Sequence, residues 1–251
     1  AGIETTVTPV SENRAEITLV IDEGRRSQIR EIKIIGNQRF SDETLREDMA
    51  LNVSKWHSWL THDGRYSKAE LLSDVEAIRS YYLDRGYMEF QVVETDVSIS
   101  PNKQDLFVSI SVKEGQLYKV GDVIVETTDV VDAKIIESMV ELRKGRAYSR
   151  ADLVASQNAI KEMLADQGYA FANVNGVPRQ QQESSTVDFT FVVDPGPLVY
   201  VRRINVVGNE STRDEVIRRE LRQLEGALYS LSDIRRSRER IVRLGFFNDV
   251  N

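Results

Sequence analysis

Apolar residues recur along this chain with two periods. At every second position stand Ile17, Leu19 and Ile21, then Leu106, Val108, Ile110 and Val112, then Val187, Phe189, Phe191 and Val193. Period two predicts strands with one buried face. At spacings of three and four stand Leu71, Val75, Ile78 and Tyr82, and later Ile234, Ile241 and Leu244. That spacing predicts amphipathic helices. A third pattern, Ile29, Ile32, Ile34, then Val120, Val123, Val125, then Val201, Ile204, Val206, has a step of three followed by a step of two. The broken alternation predicts strands with a bulge at one matching place.

The elements come in a repeating order. Tyr66-Ser67, Tyr148-Ser149 and Tyr229-Ser230 follow one another at a near-constant interval. Gly86-Tyr87, Gly168-Tyr169 and Gly245-Phe246 keep nearly the same interval. Glu23-Gly24, Glu114-Gly115 and Pro195-Gly196 close β-like runs, and Gly36-Asn37 matches Gly208-Asn209. Marks in a fixed order at a near-constant period predict tandem modules of similar length. Each starts with a strand and a short helix. A second helix opens at Ser67, Ser149 or Ser230 with an S-x-x-[DE] cap and ends at the glycine. Two strands close the unit. The fold class is α+β: β-α-α-β-β modules, each a three-stranded mixed sheet covered on one face by two helices, in an elongated array. The expected divisions are 1–25, the closing hairpin of an earlier module; 26–115 and 116–196, full modules; and 197–251, a module without its last two strands.

Composition narrows the function. Hydrophobic residues make up 41% of the chain and charged residues 29%, the balance of a globular protein. No apolar run reaches bilayer length. There is no cysteine and there are two histidines, His57 and His62, which leaves little for a nucleophilic triad or a thiolate metal site. His57, His62 and Asp63 offer three ligands without a fourth, so no metal is expected. No Gly-rich phosphate loop is present, and no enzymatic activity or cofactor is expected. A net charge of −7 argues against nucleic acid. The charge is uneven: residues 199–251 hold 11 arginines against 8 acidic residues, and the remainder 22 basic against 32 acidic.

Three stretches are candidate partner sites. Gln91 to Ile99 reads as a strand with Val93, Thr95, Val97 and Ile99 on one side and Glu94, Asp96 and Ser98 on the other, without proline or glycine. The equivalent 172–179 contains Gly176 and Pro178, which weaken a ladder. The first edge is therefore the better template for an added strand; the plain alternative is an amphipathic strand whose acidic residues deter pairing. Arg218 and Arg222, at i and i+4, share a helix face near Arg219 and Glu225, against the plain alternative of a solvated charged helix. The insertion Lys55–Asp63 carries Trp56 and Trp59, which either pack on the helices or anchor a contact.

The segments Ile78–Tyr87, Val216–Ala227 and Arg243–Phe247 resemble POTRA domains of outer-membrane assembly proteins, and the resemblance covers the whole chain. It places residues 1–24 at the end of a second such domain and the rest in a third, a fourth and part of a fifth. Thr127-Thr128 departs from the usual Gly-Asn. The resemblance implies a scaffold on the periplasmic face of the Gram-negative outer membrane, without enzymatic activity. It implies as partners unfolded outer-membrane protein clients, accessory lipoproteins of the assembly complex, and a C-terminal membrane barrel. Strand addition at Val93–Ile99 is the mode of binding that the residues themselves suggest, while the resemblance implies lipoprotein docking on that module and ionic lipoprotein docking at Arg218, Arg222 and Glu225 of the last one. The alternative is the POTRA array of a related secretion transporter, which typically has only two such domains.

Overall fold

The computed structural model describes residues 2–11, 14–22, 28–47, 68–102, 105–210, 212–247 and 249–250. It divides into two compact units, Ala1–Tyr82 with Glu89–Gly115, and Leu83–Met88 with Gln116–Asn251.

The first unit opens with an antiparallel hairpin of β1 (Gly2–Ser11) and β2 (Arg14–Asp22), with Val7 opposite Ile17 and Thr5 opposite Leu19. Val7, Ile17 and Leu19 are exposed. There follow β3 (Gln28–Ile35), α1 (Asp42–Glu47), α2 (Lys68–Leu83), β4 (Gln91–Ile99) and β5 (Asp105–Lys113). The sheet order is β3-β5-β4, with β5 parallel to β3 and antiparallel to β4. The central strand carries the cleanest alternation: Leu106, Val108, Ile110 and Val112 are buried, as are Leu71, Ile78 and Tyr82 of α2. Tyr82 is fully buried, stacks on Phe90 with ring centroids 4.2 Å apart, and donates its hydroxyl to Glu114 at 2.8 Å. Glu114 also accepts the Gln38 and Arg39 N–H groups, which holds the turn after β3.

The second unit repeats the order in β6 (Lys119–Thr127), α3 (Ala133–Met139), α4 (Arg150–Asp166), β7 (Asn173–Gln181) and β8 (Thr186–Asp194), with sheet order β6-β8-β7. Val187, Phe189, Phe191 and Val193 of β8 share one core with Ile136 of α3 and Ile160 and Leu164 of α4. Helix α4 begins as its sequence predicts: Ser149 caps the Asp152 N–H at 3.1 Å. The 3-then-2 pattern is a bulge in both full modules, between Ile29 and Glu31 in β3 and between Val120 and Val123 in β6. Ser156, buried within α4, accepts the Glu141 N–H at 2.8 Å and ties the preceding loop to the helix. Ser237 does the same for Arg222 at 2.7 Å.

The last residues form α5 (Asp214–Arg218) and α6 (Leu231–Arg243). The strand expected at Val201, Ile204 and Val206 is not a strand among the described residues; beside this stretch there is only an isolated bridge, Tyr200 to Leu228. The matching strands β3 and β6 are held by β5 and β8, and no described residue after 207 supplies such a partner. An extended run without a ladder is not a sheet.

Candidate partner-binding site

β4 is an edge strand, so one row of its backbone groups faces away from the sheet. The Ser100 N–H donates to the Asp105 carbonyl at 2.9 Å, which makes that pair a hydrogen-bonded one. Antiparallel pairs alternate, so Thr95, Val97 and Ile99, opposite Ile110, Val108 and Leu106, direct their N–H and C=O groups outward. Glu94, Asp96 and Ser98, opposite Ser111, Ser109 and Phe107, lie on the face away from the buried Leu106, Val108 and Ile110, as the alternation predicts. Val93 does not follow it. The register passes from Val92 opposite Val112 to Glu94 opposite Ser111, so Val93 is the extra residue of a bulge and is 66% exposed. One inserted residue reverses the phase, and Val92 takes the inward place expected for Val93.

The edge of β7 is different. Pro178, opposite Phe189, has no N–H to offer. Gly176 has a packing reason that sequence alone does not reveal. A Cβ there would stand 2.6 Å from Leu153 of α4, so glycine lets the helix approach the strand.

The charged candidates also rearrange. Helix α5 ends at Arg218, so Arg218 and Arg222 do not share a helical face; the chain turns at 219–220, and the Arg222 N–H is committed to Ser237. Arg218 pairs with Asp214 at 2.5 Å and with Glu225 at 3.2 Å, and donates to the Ile204 carbonyl at 3.0 Å. Glu225 accepts the Ile204 N–H at 2.9 Å. The ion pair therefore grips both polar groups of one residue, as a neighbouring strand would. Sequence reading missed Ile204, because a backbone contact leaves no residue signature, and Asp214, although its i, i+4 spacing from Arg218 is a signal that could have found it. Trp56, Trp59, His57, His62 and Asp63 lie outside the described residues.

The Ile204 N–H, and then Arg218, hold the Glu225 carboxyl below its ordinary range; Asp214 and Glu225 hold Arg218 above its own. A depressed carboxylate contributes stability above its unfolded value and loses it as pH falls through the folded one. Acidification through and below the usual carboxylate range should therefore release Ile204. Amide chemical shifts of Ile204 followed against pH check this; an Ile204 signal unmoved while Glu225 titrates would refute the grip.

Comparison with known proteins agrees with this architecture. The POTRA family model, described as a surface antigen variable number repeat, matches residues 27–115, 118–196 and 199–251. The chain belongs to the POTRA family. Among its relatives are the outer membrane protein assembly factors BamA of Neisseria meningitidis serogroup B, 35% identical over 97% of this chain and 31% of that protein, and of Buchnera aphidicola, 29% identical over 95% and 39%. The crystal structure of Haemophilus influenzae BamA POTRA3-5 is similar at 30% identity, with a TM-score of 0.80, covering 92% of this chain and 91% of that one. The chain spans about a third of the length of these curated relatives. Tandem POTRA modules thus account for the repeat marks read from the sequence.

Proposed function

We propose that this POTRA array is a periplasmic scaffold of outer-membrane protein assembly, without catalytic activity of its own, lying at the periplasmic face of the Gram-negative outer membrane. Its modules, 26–115 and 116–196 with partial ones at 1–25 and 197–251, present binding surfaces in series. Unfolded outer-membrane proteins add as strands to the β4 edge, and accessory lipoproteins dock by ionic contacts at Arg218, Arg222 and Glu225 and against Trp56 and Trp59. A C-terminal membrane barrel of the same protein would receive the client. The observation that carries the reading is the row of outward N–H and C=O groups at Thr95, Val97 and Ile99, uninterrupted by proline or glycine. Main-chain pairing accepts a client largely irrespective of its side chains, which suits many substrates rather than one. A secretion-transporter array would instead serve a single client. The relatives described as outer membrane protein assembly factors favour the first reading.

An extended peptide of alternating apolar and polar residues should perturb amide signals of 91–99 more than those of 172–179. Val97→Pro removes one outward donor while leaving the ladder to β5 intact, and should suppress the perturbation. Equal responses in β4 and β7, or a response unchanged by Val97→Pro, would overturn the preferred edge. A peptide taken from one client only, with unrelated ones silent, would favour the transporter.

A further inference from the structure

The joint between the second and third modules is built from contacts that the partner-binding reading does not use. Helix α6 starts with its own cap, Ser230, which takes the Asp233 N–H at 3.2 Å. The Ser232 N–H, one of the orphan donors of a first helical turn, is taken by Asp166, the last residue of α4, at 2.6 Å. The cap thus comes from another module, and a carboxylate is the favoured group at the positive end of a helix. Two further contacts flank it. The Gly168 carbonyl accepts the Val199 N–H at 2.9 Å. Arg235 of α6 meets Glu162 of α4 with both guanidinium arms, at 3.0 and 2.5 Å. Three contacts at separate points fix a relative orientation, where one would leave a pivot.

The same arrangement stands at the start of α4. The Asp84 carboxylate takes the Ala151 N–H at 2.7 Å, and the Gly86 carbonyl takes the Tyr118 N–H at 2.8 Å. Asp84 and Asp166 each stand two residues before a glycine in the left-handed region, Gly86 at φ +96° and Gly168 at φ +97°. The third module makes that turn too, at Gly245 with φ +71°, but with Arg243 in the acidic position. The turn itself therefore does not need the carboxylate. What Asp84 and Asp166 have in common is the helix N-terminus that each one caps.

We propose that Asp166 is an inter-module latch: by capping α6 from α4 it locks the third module in one orientation on the second. The exposed Glu162–Arg235 pair assists, but pairs of that kind contribute little alone. The inference stands whatever the β4 edge binds.

The chain has no cysteine, so spin labels at Arg179→Cys on β7 and Glu239→Cys on α6 report the joint directly. The parent should give one narrow interspin distance distribution. Asp166→Ala should broaden it, and should speed hydrogen exchange of the Ser232 amide roughly fivefold, as loss of one helix cap does. Asp166→Asn keeps an acceptor oxygen and should restore the narrow distribution. Ser232→Pro removes the donor from the other side at a helix position that tolerates proline, and should broaden it again. Protection of the Ile160 and Phe189 amides reports that the second module stays folded. If Asp166→Ala unfolds that module, Ser232→Pro decides the matter. A distribution as narrow as the parent's in Ser232→Pro, or in a folded Asp166→Ala, would overturn the latch.

Discussion

Gly168→Val will loosen the third module as well as the second. Gly168 sits at φ +97°. A β-branched residue there is strained by about 1–3 kcal/mol. A Cβ would also stand 2.6–2.8 Å from three side-chain carbons of Leu228, which belongs to the turn leading into α6. The strain is felt where α4 ends, and the displaced Leu228 carries it across the joint. As the residue that ends the second helix, Gly168 would by itself give only a module-local effect. Hydrogen exchange of residues 118–196 and 199–244 distinguishes the two. Faster exchange in both stretches is the expected result; faster exchange in the first alone would restore the local reading. Gly168→Ala, with one methyl group and no branch, should be milder in both.

Phe189→Ala should unfold the second module under conditions in which the parent is folded. Phe189 is 1% exposed, stacks on Tyr148 with centroids 5.5 Å apart, and sits on the central strand between β6 and β7. Truncating such a residue costs about 3–5 kcal/mol, most of what a small domain has. No neighbouring side chain can fill the gap without leaving its own place in a close-packed core. The control is Phe246→Ala, whose ring is 65% exposed. It should change stability by less than about 0.5 kcal/mol. Thermal unfolding followed by circular dichroism, with amide exchange to assign the module, checks both. Equal effects of the two substitutions would contradict the core assignment around β8.

Much of this protein is legible in its sequence because local rules and the fold agree. Alternation at Leu106–Val112 and Val187–Val193 marks central strands, since only a strand covered on one face buries every second side chain. The S-x-x-D caps at Ser149 and Ser230, and glycine at positions of positive φ, mark where the second helices start and stop, because both act within a few residues of chain. The 3-then-2 pattern foretells the bulges of β3 and β6 for the same reason.

Other features depend on groups distant in sequence and come only from tertiary structure. The bulge at Val93 arises from register against β5, which the residues of β4 do not encode by themselves. The separation of Arg218 from Arg222 follows from where Ser237, well along the chain in α6, takes a backbone donor. The grip of Arg218 and Glu225 on Ile204 and the cap of Asp166 on Ser232 both join a side chain to a backbone group of a kind that nearly every residue possesses. In β5, β8 and α2 hydrophobic periodicity therefore determines which element forms and which face is buried, whereas the same kind of pattern leaves Ile17 and Leu19 exposed and gives no strand at 201–206. Which side chain satisfies which backbone donor across a joint is decided only when the elements pack, because a main-chain N–H has no identity until the fold brings an acceptor to it.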